Sequence, residues 1–159
     1  MIMNNSETVT KAPELFRLKD PEKPEESNEA AMVFDLLRKG GRRLYVCEGP
    51  FDAMRVDYVS RIEGLPDRAT CMFGVSYTQQ QLTRLHCLAA DYDELVILFD
   101  RVAMPQAIQL DQALSLGKSR IQTLQEGVKD PGELQWSDVI RLAGRNPTGA
   151  NETLMDCVV

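Results

Sequence analysis

The chain has 159 residues, enough for one ordinary hydrophobic core and short for two. Its hydrophobic fraction of 43% and charged fraction of 26% are those of a globular protein rather than a disordered one. No apolar run approaches the roughly 20 residues that span a bilayer, and the polar start lacks a signal-peptide core, so a cytoplasmic protein without membrane contact is expected. The formal net charge of −6 argues against holding nucleic acid by bulk positive charge; metal ions over the carboxylates or a basic partner would have to supply it.

In chain order, residues 1–24 are polar and interrupted by Pro13, Pro21 and Pro24, which predicts an irregular arm. From residue 25 to 39 the positions Ala30, Val33, Phe34, Leu36 and Leu37 share a helical face, and Gly40 and Gly41 stop the helix. Strands are predicted near 43–47, 69–73, 94–99 and 119–124, the third carrying five successive apolar residues, Leu95 to Phe99. Helices are predicted between them. The first, 51–61, has helical spacing through Phe51, Met54, Val56 and Tyr58. The second, 78–90, carries Leu82, Leu85, Leu88 and Ala89 on one side and a capping box from Thr78 and Gln81. The third, 105–116, offers Ile108, Ala113, Leu114 and Leu116 for packing, and a closing helix covers 137–142. Strand–helix alternation of this kind predicts one α/β domain over residues 25–144, a mostly parallel sheet with helices on both faces, followed by a tail at 145–159.

Cysteines 47, 71, 87 and 157 form no C-x-x-C pair, which argues against a zinc site. The one histidine, His86, sits in the predicted helix 78–90 and reads as an ordinary helix residue. The chemistry-bearing residues fall instead at strand ends. The first strand runs into Glu48-Gly49-Pro50-Phe51-Asp52, the third into Asp100, and the fourth is followed by Lys129-Asp130-Pro131-Gly132-Glu133. Parallel α/β sheets gather ligands at the carboxyl ends of their strands. Carboxylates delivered there by separate strands repel one another unless a cation lies between them, and magnesium suits such a site. Asp52 also reads simply as an acid favoured by the positive end of a helix dipole.

These segments resemble the Toprim family. Leu44 to Ala53 is similar to its first motif, a hydrophobic strand followed by Glu-Gly and an Asp four residues beyond the Glu. Ala69 to Gly74 with Thr78, Gln81 and Leu82 is similar to the second strand and helix of bacterial-type primases. Leu95 to Asp100 resembles the strand bearing the D-x-D, and Lys129-Asp130-Pro131 with Glu133-Leu134 the acidic segment that closes the domain in primases and phage primase–helicases. The match covers residues 42–135 in order, and the primase-like branch fits best.

The resemblance implies a Toprim-like (Rossmann-like) fold and a role in DNA replication or nucleic-acid metabolism, with a phage among the sources it suggests. Glu48 would be general acid/base or metal ligand, Asp100 and Asp130 metal ligands, and Asp52 a supporting acid. Two departures stand out. Val102 replaces the second aspartate of the D-x-D, and Gly132 stands where primases often place another aspartate. Magnesium binding is therefore expected to be weak or partner-dependent. Three readings follow: a primase-type nucleotidyltransferase or its subunit; a catalytically silent module binding DNA, RNA or a replication partner through Arg42, Arg43, Arg55, Arg101 and Lys129; and a Toprim nuclease, ranked last for want of the D-x-D. The chain carries no zinc module or Walker A sequence, so a full primase would need a zinc-domain protein or helicase on another chain.

Overall fold

The computed structural model describes residues 37–147. The predicted arm at 1–24, the helix residues 25–36 and the tail from 148 onward lie outside them. Four strands, β1 (Gly41–Cys47), β2 (Asp67–Cys71), β3 (Tyr92–Leu98) and β4 (Ser119–Ile121), form one sheet in the order β2-β1-β3-β4. Every neighbouring pair is parallel. Among the described residues these helices alternate with them: α1 (Pro50–Ile62), α2 (Gln79–Ala89), α3 (Met104–Leu114) and α4 (Trp136–Leu142). The predicted α/β class with a parallel sheet is what the chain adopts.

The two-residue period of the strands divides the core in two. Leu44, Val46, Leu95 and Ile97 face α2 and α3, where they meet Leu82, Leu85, Leu88, Ala107, Leu110 and Leu114. Their neighbours Tyr45, Cys47, Val96 and Leu98 face the opposite side, against Ala53, Val56 and Val59 of α1 and Val139 and Ile140 of α4. Helices therefore cover both faces. Cys47 and Cys71 are free and buried here, side by side in the β1–β2 register, which accounts for them as core residues.

Local signals behave as their chemistry demands. Thr78 Oγ1 accepts the Gln81 amide at 3.2 Å and Gln81 Oε1 accepts the Thr78 amide at 2.8 Å, closing the capping box that starts α2. His86 is a tie between helices: its ring nitrogens lie 2.9 and 2.8 Å from the carbonyl oxygens of Leu82 and Leu114.

Three expectations need correction. In α1 the residues Phe51, Met54 and Tyr58 are exposed, and Ala53, Val56 and Val59 pack on the sheet instead. Small residues let this helix approach the parallel strands closely. In α3 the buried positions are Ala107, Leu110 and Leu114, while Ile108 is exposed. The fourth strand is only three residues long. Gln122 donates one more bond to Ile97, but Leu124 then turns into the core on the α1 side and leaves the ladder.

At the amino ends of the strands an ion-pair network closes the sheet. Arg43 on β1 bonds Glu94 on β3 at 2.9 Å and lies 3.9 Å from Asp67 on β2, while Arg120 on β4 bonds the other oxygen of Glu94. Burial pushes the Glu94 carboxyl up, but the bonds from Arg120 and Arg43 outweigh it and hold it below the ordinary range.

Gly40 introduces β1 with a φ of +71°, and a Cβ there would lie 2.1 Å from the Asp91 carbonyl oxygen that accepts the Gly41 amide. Gly40→Ala must therefore both strain the backbone and displace that bond. We expect it to destabilise the fold by more than about 1 kcal/mol, read as a lower urea midpoint at unchanged slope. An unchanged midpoint would show that this junction is not needed.

Candidate acidic site at the sheet switch point

The strand order reverses direction between β1 and β3: α1 carries the chain from β1 outward to β2 on one side, and α2 returns it past β1 to β3 on the other. The carboxyl ends of the two strands that flank such a reversal open a crevice. Glu48 follows β1 and Asp100 follows β3 by two residues, so both carboxylates belong to that crevice. A cleft of about 320 Å³ there is lined by Glu48, Gly49, Pro50, Asp52, Phe73, Gly74, Asp100 and Asp130. All four acids singled out in the sequence thus share one cavity.

Each is held differently. Asp52, in the first turn of α1, accepts the Gly49 amide at 3.1 Å through one oxygen and the Gly132 amide at 2.9 Å through the other. It is both the helix-start acid and the pin that ties the segment after β4 to α1. Asp130 accepts the Glu133 amide at 3.1 Å and so starts the 3₁₀ turn Pro131–Glu133. Asp100 is different: its Oδ1 is buried and has no hydrogen-bond partner. A buried acceptor left without a donor is costly, and at the rim of an acidic cleft such an oxygen is available to a ligand.

The acids burden one another. Burial, then the charges of Asp100 and Asp52, raise the Glu48 carboxyl above its ordinary value. Asp100 is raised by burial and by Asp130, with Lys129 pulling the other way. Asp52 is raised by burial, relieved by the Gly49 and Gly132 amides, and raised further by Asp130 and Asp100.

Of the basic residues, Lys129 is exposed and close enough to Asp100 to act on its charge. The others are engaged elsewhere. Arg42 and Arg43 sit at the amino end of β1, away from the cleft, where Arg43 serves the ion-pair network. Arg55 donates to the Leu134 carbonyl at 2.8 Å and lines a neighbouring cavity of about 550 Å³ with Gln125, Gly127, Val128 and Glu133. Arg101 donates to the Leu124 carbonyl, through Nε at 3.3 Å and a terminal nitrogen at 2.9 Å, which fixes the exit from β4. Val102, in the 3₁₀ turn Arg101–Ala103, is 88% exposed and outside the cleft lining.

Sequence reasoning passed over the role of Phe73. It lines the cleft with a φ of +60°, a conformation rare for a bulky side chain, and Gly74 beside it donates its amide to the Glu48 carbonyl at 3.0 Å. The Phe-Gly pair closing an apolar strand was the signal available.

Magnesium fits these donors in kind. They are hard carboxylate oxygens, and Asp100 Oδ1 stands unpartnered among them. They fit less well in number: among the described residues no three His, Cys, Asp or Glu side chains are grouped so as to hold a metal ion. The set matches an ion that keeps most of its water and takes further oxygens from a phosphate, rather than one caged by protein.

Because the Asp100 carboxyl is raised, its ionisation costs stability: the penalty is absent below the ordinary aspartate range near pH 4 and accrues as pH rises through the folded value. Without added metal, Asp100→Asn should match the natural chain in melting temperature at acid pH and exceed it at neutral pH. A gap that does not grow with pH would remove the electrostatic account.

No protein-family model matches the chain, and no curated protein does. Solved structures do. The primase fragment of the bacteriophage T7 primase-helicase protein superposes with a TM-score of 0.50 at 23% identity, over 70% of this chain and 43% of that one. A chain from the structure of bacteriophage T7 lagging-strand DNA polymerase interacting with primase domains of two gp4 subunits bound to an RNA/DNA hybrid and dTTP gives a TM-score of 0.47 at 20% identity, over 67% of this chain and 50% of that one. The chain spans less than half the length of the T7 primase fragment. This protein shares its fold with that phage primase fragment.

Proposed function

We propose that the acidic cleft handles nucleic-acid or nucleotide phosphates with magnesium, in a primase-like protein of DNA replication. The observation that carries this reading is the convergence of Glu48, Asp52, Asp100 and Asp130 on one cleft, with an Asp100 oxygen buried there unpartnered. The fold likeness to the T7 primase fragment supports it.

In this reading Glu48, Asp100 and Asp130 would hold the ion, which when bound would neutralise phosphate charge and polarise a reacting oxygen. Asp52 is spent on the Gly49 and Gly132 amides and positions the segment bearing Asp130. Glu48 has two alternative roles: as a ligand it stays ionised, and off the ion its carboxyl, raised by burial and its acidic neighbours, is suited to exchange a proton with a sugar hydroxyl. Lys129 offers a cation to a phosphate at the rim. DNA or RNA is the partner class, with a helicase or zinc-domain protein supplying what a primase needs beyond this fold.

A second reading keeps the fold and the binding but not the catalysis. It is favoured by the exposed Val102 where a second aspartate would stand, and by the lack of a three-acid metal group among the described residues. Titration calorimetry separates the two. For the reading with a depleted metal site, the natural chain should bind magnesium weakly and show little or no primer synthesis alone. Val102→Asp, on an exposed turn, should melt within about 0.5 kcal/mol of the natural chain and bind magnesium about tenfold tighter. Asp100→Asn should abolish that gain. Tight binding by the natural chain, unchanged in Val102→Asp, would show that Val102 is irrelevant. Robust synthesis lost in Glu48→Gln would restore the enzyme in full. Failure of magnesium and of single-stranded DNA to bind at all would remove the function proposed here.

A further inference from the structure

An aromatic ring stands among the carboxylates of the acidic cleft. Phe73 lines it beside Glu48 and Asp100, the one aromatic among the described residues that do so. Part of the side chain packs on the core layer beneath α1, and the residue stays partly exposed. Holding it there takes an unusual backbone. Phe73 has a φ of +60°, in the left-handed region ordinarily given to glycine, as it is next door at Gly74 with a φ of +130°. The conformation is clamped on both sides. The Met72 amide donates to the Cys47 carbonyl at 3.0 Å, the Met72 carbonyl accepts Gln81 Nε2 at 3.0 Å, and the Gly74 amide donates to the Glu48 carbonyl at 3.0 Å. A turn that only had to leave β2 would be less strained with glycine at both positions. Strain held in place by its surroundings in this way clusters at ligand-contacting positions.

We propose that Phe73 is a stacking platform for a nucleobase, so that the cleft takes a single nucleoside phosphate, its base on the ring and its phosphates at the acids' magnesium. This rests on the phosphate reading of the cleft and names its substrate class. Ring and carboxylates line the same cavity of about 320 Å³, near the lower end of the roughly 300–1,000 Å³ range of small-ligand pockets, a size for one nucleotide rather than a duplex. Carboxylates hold a phosphate only through the ion, so any further affinity has to come from uncharged contacts, and an aromatic face offers one to every base. Inorganic polyphosphate has no π face and gains nothing from the ring. Purines, with the larger face, gain more than pyrimidines. Shielding the carboxylates from water is the other service a ring could give there, and it would act on every phosphate ligand alike. Leucine would pack on the same core layer, so a purely structural role does not call for an aromatic residue.

NMR titration of the full chain in excess magnesium tests it, with ATP and inorganic tripolyphosphate as probes. A base lying on the Phe73 ring feels its ring current, so the adenine H2 and H8 resonances should move upfield as protein is added. Nuclear Overhauser contacts from H2 or H8 to the Phe73 ring should accompany the shift, and they need no variant to fold. Phe73→Leu should abolish the upfield shift and weaken ATP about tenfold, while tripolyphosphate, followed by its phosphorus resonances, changes by less than about twofold. Phe73→Tyr should restore both the shift and the affinity. Equal weakening of ATP and tripolyphosphate in Phe73→Leu would assign the ring to shielding or packing and overturn the proposal. So would ATP that binds with no upfield shift and no contact to the ring. If tripolyphosphate binds and ATP does not, stacking fails and the phosphate reading stands; if neither binds, both fall.

Discussion

The position of β1 between β2 and β3 governs everything else in this molecule. Every residue from Leu44 to Cys47 is buried, alternately toward one helical layer and the other, so neither face of the strand can shift register without expelling an apolar side chain into the wrong core. Because β1 is paired on both sides, its last residue ends at a fixed height beside Cys71 on one neighbour and Leu98 on the other. Glu48, the next residue, has no choice but to emerge at the rim of the crevice. Position is inherited from packing, and the chemistry at the rim is what packing delivers.

The two ends of the sheet resolve the same problem in opposite ways. At the amino end, the acids Asp67 and Glu94 are met by Arg43 and Arg120, and the ion pairs join all four strands. At the carboxyl end, Glu48, Asp52, Asp100 and Asp130 meet only backbone amides and one exposed lysine. The first arrangement spends its charge on holding the fold. The second leaves negative charge uncompensated, a liability for stability. The arginines near that end do not relieve it, because Arg55 and Arg101 are bound to main-chain carbonyls that shape the segment between β4 and α4.

Much of this was legible in the residues. Apolar runs such as Leu95–Phe99 could only be buried strands, Thr78 and Gln81 could close a cap from three residues apart, and acids directly following such strands had to lie at one edge of a parallel sheet. Each depends on neighbours close in sequence or on the fixed period of an element. The face of α1 was not legible, since Phe51, Met54 and Tyr58 make as good a helical stripe as Ala53, Val56 and Val59, and larger side chains suggest burial. Nor were the destinations of the arginines. Arg101 and Leu124 are 23 residues apart, Arg55 and Leu134 79, and no local pattern announces such a bond.

By itself, then, the sequence determined the alternation of strands and helices, the class of fold and the acids Glu48 and Asp100 at strand ends, because those follow from periodicity and from what each residue type can bury. Tertiary structure alone decided that Asp52 would be consumed by two backbone amides while an Asp100 oxygen stayed unpartnered, that Arg43 would work at the far end of the sheet, and that the bulky face of α1 would point outward. The reason is physical. Which polar group finds a partner, and which apolar face finds a core, depends on what distant segments bring to the same point in space, and that is set only when the whole sheet has closed.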